Sequence, residues 1–137
     1  MREMVKVLFV CMGNCVRSQM AEAIARRDAA DIMAAESAGI HPLGFIDPTA
    51  QAVLRERNIP MDGQFSKGLH NPQLAEPDLV INMSGLPGKA HFSQRQFEDW
   101  AVEDPFGENL ETHRRICDDI ERRVVDLAGR LRAKQSA

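Results

Sequence analysis

The apolar run Val5 to Val10 leads directly into Cys11-Met12-Gly13-Asn14-Cys15-Val16-Arg17-Ser18, and Gln19 to Ala30 follows, rich in Ala, Met, Glu, Ile and Arg. A short apolar run closed by a glycine-containing loop reads as a buried strand, and the segment after it has strong helix formers. Strand, loop and helix in that order commit the chain to an α/β arrangement, in which ligands bind beyond the carboxyl ends of parallel strands. The loop from Cys11 to Ser18 belongs at that end.

The rest of the chain repeats the alternation. Ala35 to Ala38, ending at Gly39, closes a second short strand, and His41-Pro42-Leu43-Gly44 is loop chemistry. Asp47-Pro48 opens a helix that runs to Asn58, with Asp at the N-cap and Pro in the first turn. Pro60 to Pro77 is loop with one short helical turn. Asp78 to Met83 is a third buried strand, Ser84 to His91 is loop, and Gln96 to Val102 is a fourth strand before the turn at Asp104-Pro105. Leu110, His113, Cys117, Ile120, Val124, Leu127 and Leu131 recur at steps of three and four, one face of a long C-terminal helix. The expectation is a single α/β domain over residues 1–137, a four-stranded parallel sheet with helices on both faces.

Composition narrows the function classes. An apolar fraction of 44% and a charged fraction of 27% are ordinary for a soluble globular chain. No window approaches the ~18 apolar residues of a membrane span. The N-terminal apolar run is too short for a signal-peptide core. Three cysteines without Cys-x2-Cys spacing argue against a secreted disulfide framework and against a zinc site, so a reducing cytoplasm is expected. A net charge of −3 offers no broad attraction for nucleic acid. An anionic ligand must therefore be held locally, and nothing in the sequence calls for a metal or an organic cofactor.

Cys11 and Arg17 are separated by five residues across a strand-to-helix junction. A loop of that length can curl until its N–H groups converge on one point, with the partial positive charge of the helix N-terminus behind them. Arg17 supplies a planar fork that matches two oxygens of a tetrahedral oxyanion. Gly13 and Asn14 tolerate the positive φ such a loop needs. Cysteine attacks phosphorus only as thiolate, and bringing an ordinary thiol of pKa about 8.5 to near ~5 requires roughly 5 kcal/mol in favour of the charged form. A helix dipole supplies ~2 kcal/mol at best. Loop amides, Arg17 and the Ser18 hydroxyl must share the rest.

These residues resemble the low-molecular-weight protein tyrosine phosphatase superfamily, which also contains the thioredoxin- or glutaredoxin-linked arsenate reductases. The resemblance spans nearly the whole chain: VLFVCMGNCVRSQMAEA, ESAG at Glu36 to Gly39, SKGL at Ser66 to Leu69, DLVINM at Asp78 to Met83 and FEDWAVEDPFG at Phe97 to Gly107. RSQMAE and the tryptophan just before the Asp-Pro pair look more like the arsenate reductase branch. The resemblance implies Cys11 as nucleophile, Arg17 as oxyanion clamp and Asp104 as general acid. Asn14 would brace the loop and Ser18 would hydrogen-bond the thiolate, while Met12, Gly13, Cys15 and Val16 complete the binding loop. Arsenate reductases of this type carry further redox cysteines just after the third strand, where this chain has Asn82, Met83, Ser84 and Gly85. That departure favours hydrolysis of phosphate monoesters, a phosphotyrosine protein among them. The alternative is a reductase that borrows a small thiol or glutaredoxin.

Other residues divide between site and scaffold. Asp104 has Glu98, Asp99 and Glu103 nearby in sequence, a crowd that would favour its protonated form, and it is equally a turn residue before proline. Cys15 either pairs with Cys11 on oxidation or is a second thiol tucked against the helix. Cys117 lies on the apolar stripe and reads as core. His41, His70, His91 and His113 have no metal spacing and read mostly as surface or loop residues. Arg114-Arg115 and Arg122-Arg123 read as a solvated helix face, and Phe45 and Phe106 as loop aromatics at the substrate mouth or in the core.

Overall fold

A computed structural model describes residues 4–136. Its elements in chain order are β1 (Val5–Cys11), α1 (Arg17–Asp28), β2 (Met33–Gly39), α2 (Pro48–Glu56), β3 (Leu79–Asn82), a 3-10 turn (Gly88–Ala90), β4 (Phe97–Asp99) and α3 (Leu110–Ser136). The four strands form one parallel sheet in the order β2-β1-β3-β4. The α/β reading from the sequence holds.

The pleat of β1 divides the core. Val7, Phe9 and Cys11 join a cluster containing Met20 and Ile24 of α1, Val53 and Leu54 of α2, and Ile116, Ile120, Val124 and Leu127 of α3. Leu8 and Val10 point to the opposite face and meet Ala38, Val80 and Phe92, with Leu69 and Leu74 packed against them. Coverage of the two faces is thus unequal: the α-helices contribute their buried residues to the first, and loop segments with the 3-10 turn close the second. Full burial of each large side chain in the first cluster is worth roughly 1.5–3 kcal/mol.

Several boundaries differ from the sequence reading. Expected over Gln96 to Val102, β4 ends at Asp99, because Trp100 turns in to pack near Phe9, ring centroids 6.1 Å apart. Residues 88–90 form a 3-10 turn inside the segment expected to be loop, and the loop from Pro60 to Pro77 carries turns without a helical one. The buried stripe of α3 follows the predicted periodicity from His113 to Leu127, whereas Leu110 is exposed. Asp47 caps α2 as expected, its side chain accepting a hydrogen bond from the Thr49 N–H at 3.1 Å.

No helix among the described residues is long and apolar enough to cross a membrane. Cys11 and Gly39 are register partners at the carboxyl ends of the adjacent strands β1 and β2. The loop that leaves Cys11 therefore starts at the edge where α/β sheets bind ligands.

Candidate active site

The loop from Met12 to Val16 is held open by its surroundings. The Met12 carbonyl accepts from the His41 N–H at 2.8 Å, and Gly13 from Leu43 N–H at 3.0 Å and the Ser66 hydroxyl at 3.3 Å. Asn14 accepts from the Gln19 side-chain amide at 3.2 Å, and Cys15 from the Asp47 N–H at 3.0 Å. No peptide here is cis. In a trans peptide the carbonyl and the following N–H point in opposite directions, so the N–H groups of residues 13 to 16 turn away from those partners, to the inner side of the loop. Asn14 takes the left-handed conformation the sequence suggested, at φ 49°, whereas Gly13, expected to share it, does not have a positive φ. Val16 occupies the cap position of α1 and has no side-chain oxygen to satisfy the first helical N–H groups.

Gly39 lies directly beneath this loop. A Cβ at that position would stand 2.8 Å from the Asn14 nitrogen and 2.9 Å from the Met12 carbonyl oxygen, so only glycine admits the approach. The ESAG segment carried that requirement in the sequence, but its meaning depends on the β1–β2 register.

The buried network below Cys11 has a definite direction. The backbone N–H of Lys67, which can only donate, gives its hydrogen bond to Asn14 Oδ1 at 2.9 Å, and Gln19 Nε2 donates to the same oxygen at 3.0 Å. Asn14 Nδ2 must therefore face the two serines, donating to Ser18 Oγ at 2.7 Å and Ser37 Oγ at 3.0 Å. With its oxygen accepting from Asn14, Ser18 is oriented to donate its own hydroxyl proton to Cys11 Sγ, 2.9 Å away. Ser37 in turn donates its hydroxyl hydrogen bond to Glu22 Oε1 at 2.6 Å, and Glu22 is paired with Arg26.

Arg17 and Asp104 reach the same place from opposite ends of the sequence. Arg17 is buried, its Nη1 donating to the carbonyls of Met83 and, at 3.2 Å, Val102. Nη2 lies 3.4 Å from Asp104 Oδ2. Asp104 is half-exposed and its Oδ1 accepts from the Phe106 N–H at 3.0 Å, so the turn role and the site position coexist. The crowd of like charge expected around Asp104 disperses: Glu98 pairs with Arg130, Glu103 with Arg115, and Asp99 accepts from Asn82 and the Gly88 N–H.

Cys11, Met12, Gly13, Cys15, Val16, Arg17 and Asp104 line one cavity of about 170 Å³, with His41, Leu43 and Phe106 at its rim. Asn14 and Ser18, expected with the binding loop, stand behind it in the network just described. Phe45 is exposed but borders a neighbouring cleft. Sequence reasoning missed His41 and Leu43, which no motif marks, and the two carbonyls that hold Arg17, which no side-chain pattern encodes.

The remaining thiols are unlike a reactive cysteine. Burial, reinforced by Cys11, Asp47 and Asp104, pushes the Cys15 thiol up to about 11, with Arg17 opposing. Burial pushes Cys117 to about 11 as well. Met83 and Ser84, at the positions where the sequence resemblance points to further cysteines, follow β3 and are both buried. His113, on the apolar stripe of α3, is fully buried, while His41, His70 and His91 are exposed, as expected for most of the histidines. The arginines of α3 face solvent but are paired, Arg114 with Glu56 and Arg122 and Arg123 with Asp119.

The chain is similar over most of its length to proteins already described. A glutaredoxin arsenate reductase from Synechocystis is 37% identical over 132 residues, covering 93% of this chain and 99% of its own. A solved arsenate reductase in a phosphate-binding state superposes with a TM-score of 0.83 at 35% identity, covering 93% of this chain and 99% of its own. An arginine phosphatase from Geobacillus stearothermophilus also gives a TM-score of 0.83, at 26% identity over 96% of this chain and 95% of its own. Residues 6–137 match the family described as low molecular weight phosphotyrosine protein phosphatase, and the chain belongs to that family.

Proposed function

We propose that the protein hydrolyses phosphate monoesters through a cysteinyl-phosphate intermediate. The observation that carries this reading is the convergence of Cys11, Arg17 and Asp104 on one small cavity floored by a loop whose carbonyls are tied away from it. The Cys11 thiolate attacks phosphorus, and the bond to the leaving oxygen breaks as Asp104 gives that oxygen its proton. Water then attacks the phosphocysteine, Asp104 takes the water proton, and phosphate departs with the thiolate regenerated. Arg17 has Nη1 occupied by carbonyls, so its Nε and Nη2 edge meets two equatorial oxygens in place of the Asp104 contact. No metal or organic cofactor takes part in these steps. Cys11 must remain reduced, which suits a cytoplasmic setting.

A second reading has support of its own, because the 37% identical relative is a glutaredoxin arsenate reductase. Here Cys11 displaces an oxygen of arsenate, and a thiol then attacks the Cys11 sulfur, releasing arsenite and leaving a mixed disulfide that a second thiol reduces. Buried Cys117 on α3 is poorly placed for that attack, and a Cys11–Cys15 bond would distort the loop. The thiol therefore comes from outside, as glutathione, mycothiol or a glutaredoxin.

Turnover of p-nitrophenyl phosphate at mildly acidic pH, set beside arsenate reduction with each thiol donor, tests both. Expected are ester hydrolysis, little arsenate reduction with thioredoxin alone, and any reductase activity tied to a small thiol trapped on Cys11 by mass spectrometry. Efficient thioredoxin-driven reduction with a Cys11–Cys15 or Cys11–Cys117 disulfide would overturn the proposal.

A further inference from the structure

His113 and Asp47 form a buried pair that the proposed chemistry does not use. His113, fully buried in the first turn of α3, has Nδ1 2.9 Å from the Asn109 carbonyl and Nε2 3.3 Å from Asp47 Oδ2. A carbonyl can only accept, so Nδ1 carries a hydrogen. If Nε2 were bare, two acceptors would face each other in a buried site, a costly arrangement. A proton must therefore lie between Nε2 and the carboxylate.

The pair reaches the active-site loop in one step. Asp47 gives its own backbone N–H to the Cys15 carbonyl at 3.0 Å, one of the bonds that hold the loop open. Its other oxygen, Oδ1, accepts from the Thr49 N–H and caps α2. Asp47 is also close enough to the loop to raise the Cys15 thiol, together with Cys11 and Asp104 and against Arg17. A bare carboxylate there would add negative charge behind the seat of an incoming anion. A proton shared with His113 cancels that charge and fixes where Asp47, and through it the Cys15 peptide, stands.

We propose that His113 is a positioning residue for the oxyanion loop: with Nδ1–H on the Asn109 carbonyl and a proton shared between Nε2 and Asp47, it neutralises Asp47 and anchors the Cys15 carbonyl away from the bound anion. This deepens the reading of the loop as an oxyanion site and rests on it. The step is one of proton placement only, and no bond to substrate is made or broken by His113.

Two measurements test it. In the wild-type protein at pH 7.5, long-range 1H–15N NMR of the imidazoles should show a hydrogen on His113 Nδ1 and a hydrogen-bonded proton between Nε2 and Asp47; a bare Nδ1, or no proton between Nε2 and Asp47, would overturn the inference whatever the variants do. His113→Phe should weaken competitive inhibition by inorganic phosphate and lower kcat/KM for p-nitrophenyl phosphate by roughly tenfold each. Adding Asp47→Asn, which removes the stranded charge but keeps an acceptor for the α2 cap, should recover much of the phosphate affinity. His113→Gln, which restores a donor toward Asp47 without the shared proton, covers the case in which His113→Phe does not fold, and it should also weaken phosphate. Phosphate inhibition unchanged within twofold in His113→Gln would overturn the proposal, with hydrolysis itself intact. A wild-type protein that neither binds phosphate nor cleaves the ester would instead refute the oxyanion reading and the functional half of this one, while the NMR result would still report the proton.

Discussion

A Cys11→Ser substitution exchanges a polarisable sulfur for a hydroxyl that the Ser18 donor cannot turn into an alkoxide, while the loop amides and Arg17 stay where they are. Turnover should drop by at least roughly 10³-fold with phosphate binding retained, as steady-state kinetics and phosphate titration would show. A variant keeping a tenth of wild-type activity would remove Cys11 from the mechanism. Arg17→Lys keeps the charge but loses the planar fork and the anchoring to the Met83 and Val102 carbonyls. The expected loss is about 10²- to 10³-fold in kcat/KM, and near-normal kinetics would reduce Arg17 to a helix residue. For Asp104→Asn the informative quantity is the dependence on leaving group. A proton matters most where the departing oxygen is most basic, so an alkyl phosphate should suffer more than p-nitrophenyl phosphate. Equal losses would leave Asp104 with only its turn, where Oδ1 accepts from the Phe106 N–H.

At the scale of elements, the site depends on how closely β2 approaches the loop that leaves β1. Gly39→Ala would set a methyl group 2.8 Å from the Asn14 nitrogen, a contact backbone cannot yield without moving the loop. Overpacking of this kind costs about 1–3 kcal/mol. Phosphate affinity and kcat/KM should fall further than thermal stability does, and a variant with full activity would show that the loop tolerates the shift. Much of this architecture was legible beforehand. The apolar run of β1, the loop chemistry at Gly13 and Asn14 and the three-four periodicity of α3 are local patterns, and each element stands where they put it. Contacts between elements left no such trace. Asn14 is oriented by Lys67 and Ser37, Arg17 by two backbone carbonyls, and His113 is buried against an aspartate 66 residues away. The β4 boundary failed for a related reason: Gln96 to Val102 has strand composition, but Trp100 is drawn into the core by a partner on β1.

For the whole molecule, the two hidden thiols tie stability to alkaline pH. Cys15 and Cys117 are each pushed up to about 11, chiefly through burial, and Cys117 has no exposed surface at all. In the unfolded chain both thiols ionise near 9, so above that pH the unfolded state holds fewer protons than the folded one and stability declines as pH rises. Their contribution is present in full below pH 9 and is lost as pH climbs through about 11. Burial pushes the Lys67 ammonium below its usual value, so it loses its proton over part of the same range and the wild-type melting curve alone does not isolate the thiols. Cys117→Ala does: the small cavity it leaves costs a roughly constant amount at every pH, whereas the proton linkage at position 117 disappears. Melting temperature measured from pH 7 to pH 10.5 should therefore fall less steeply for Cys117→Ala than for wild type, the two curves drawing together as pH rises. Parallel curves would mean that Cys117 takes up or loses its proton alike in both states, and that its burial in α3 is looser than the packed core requires.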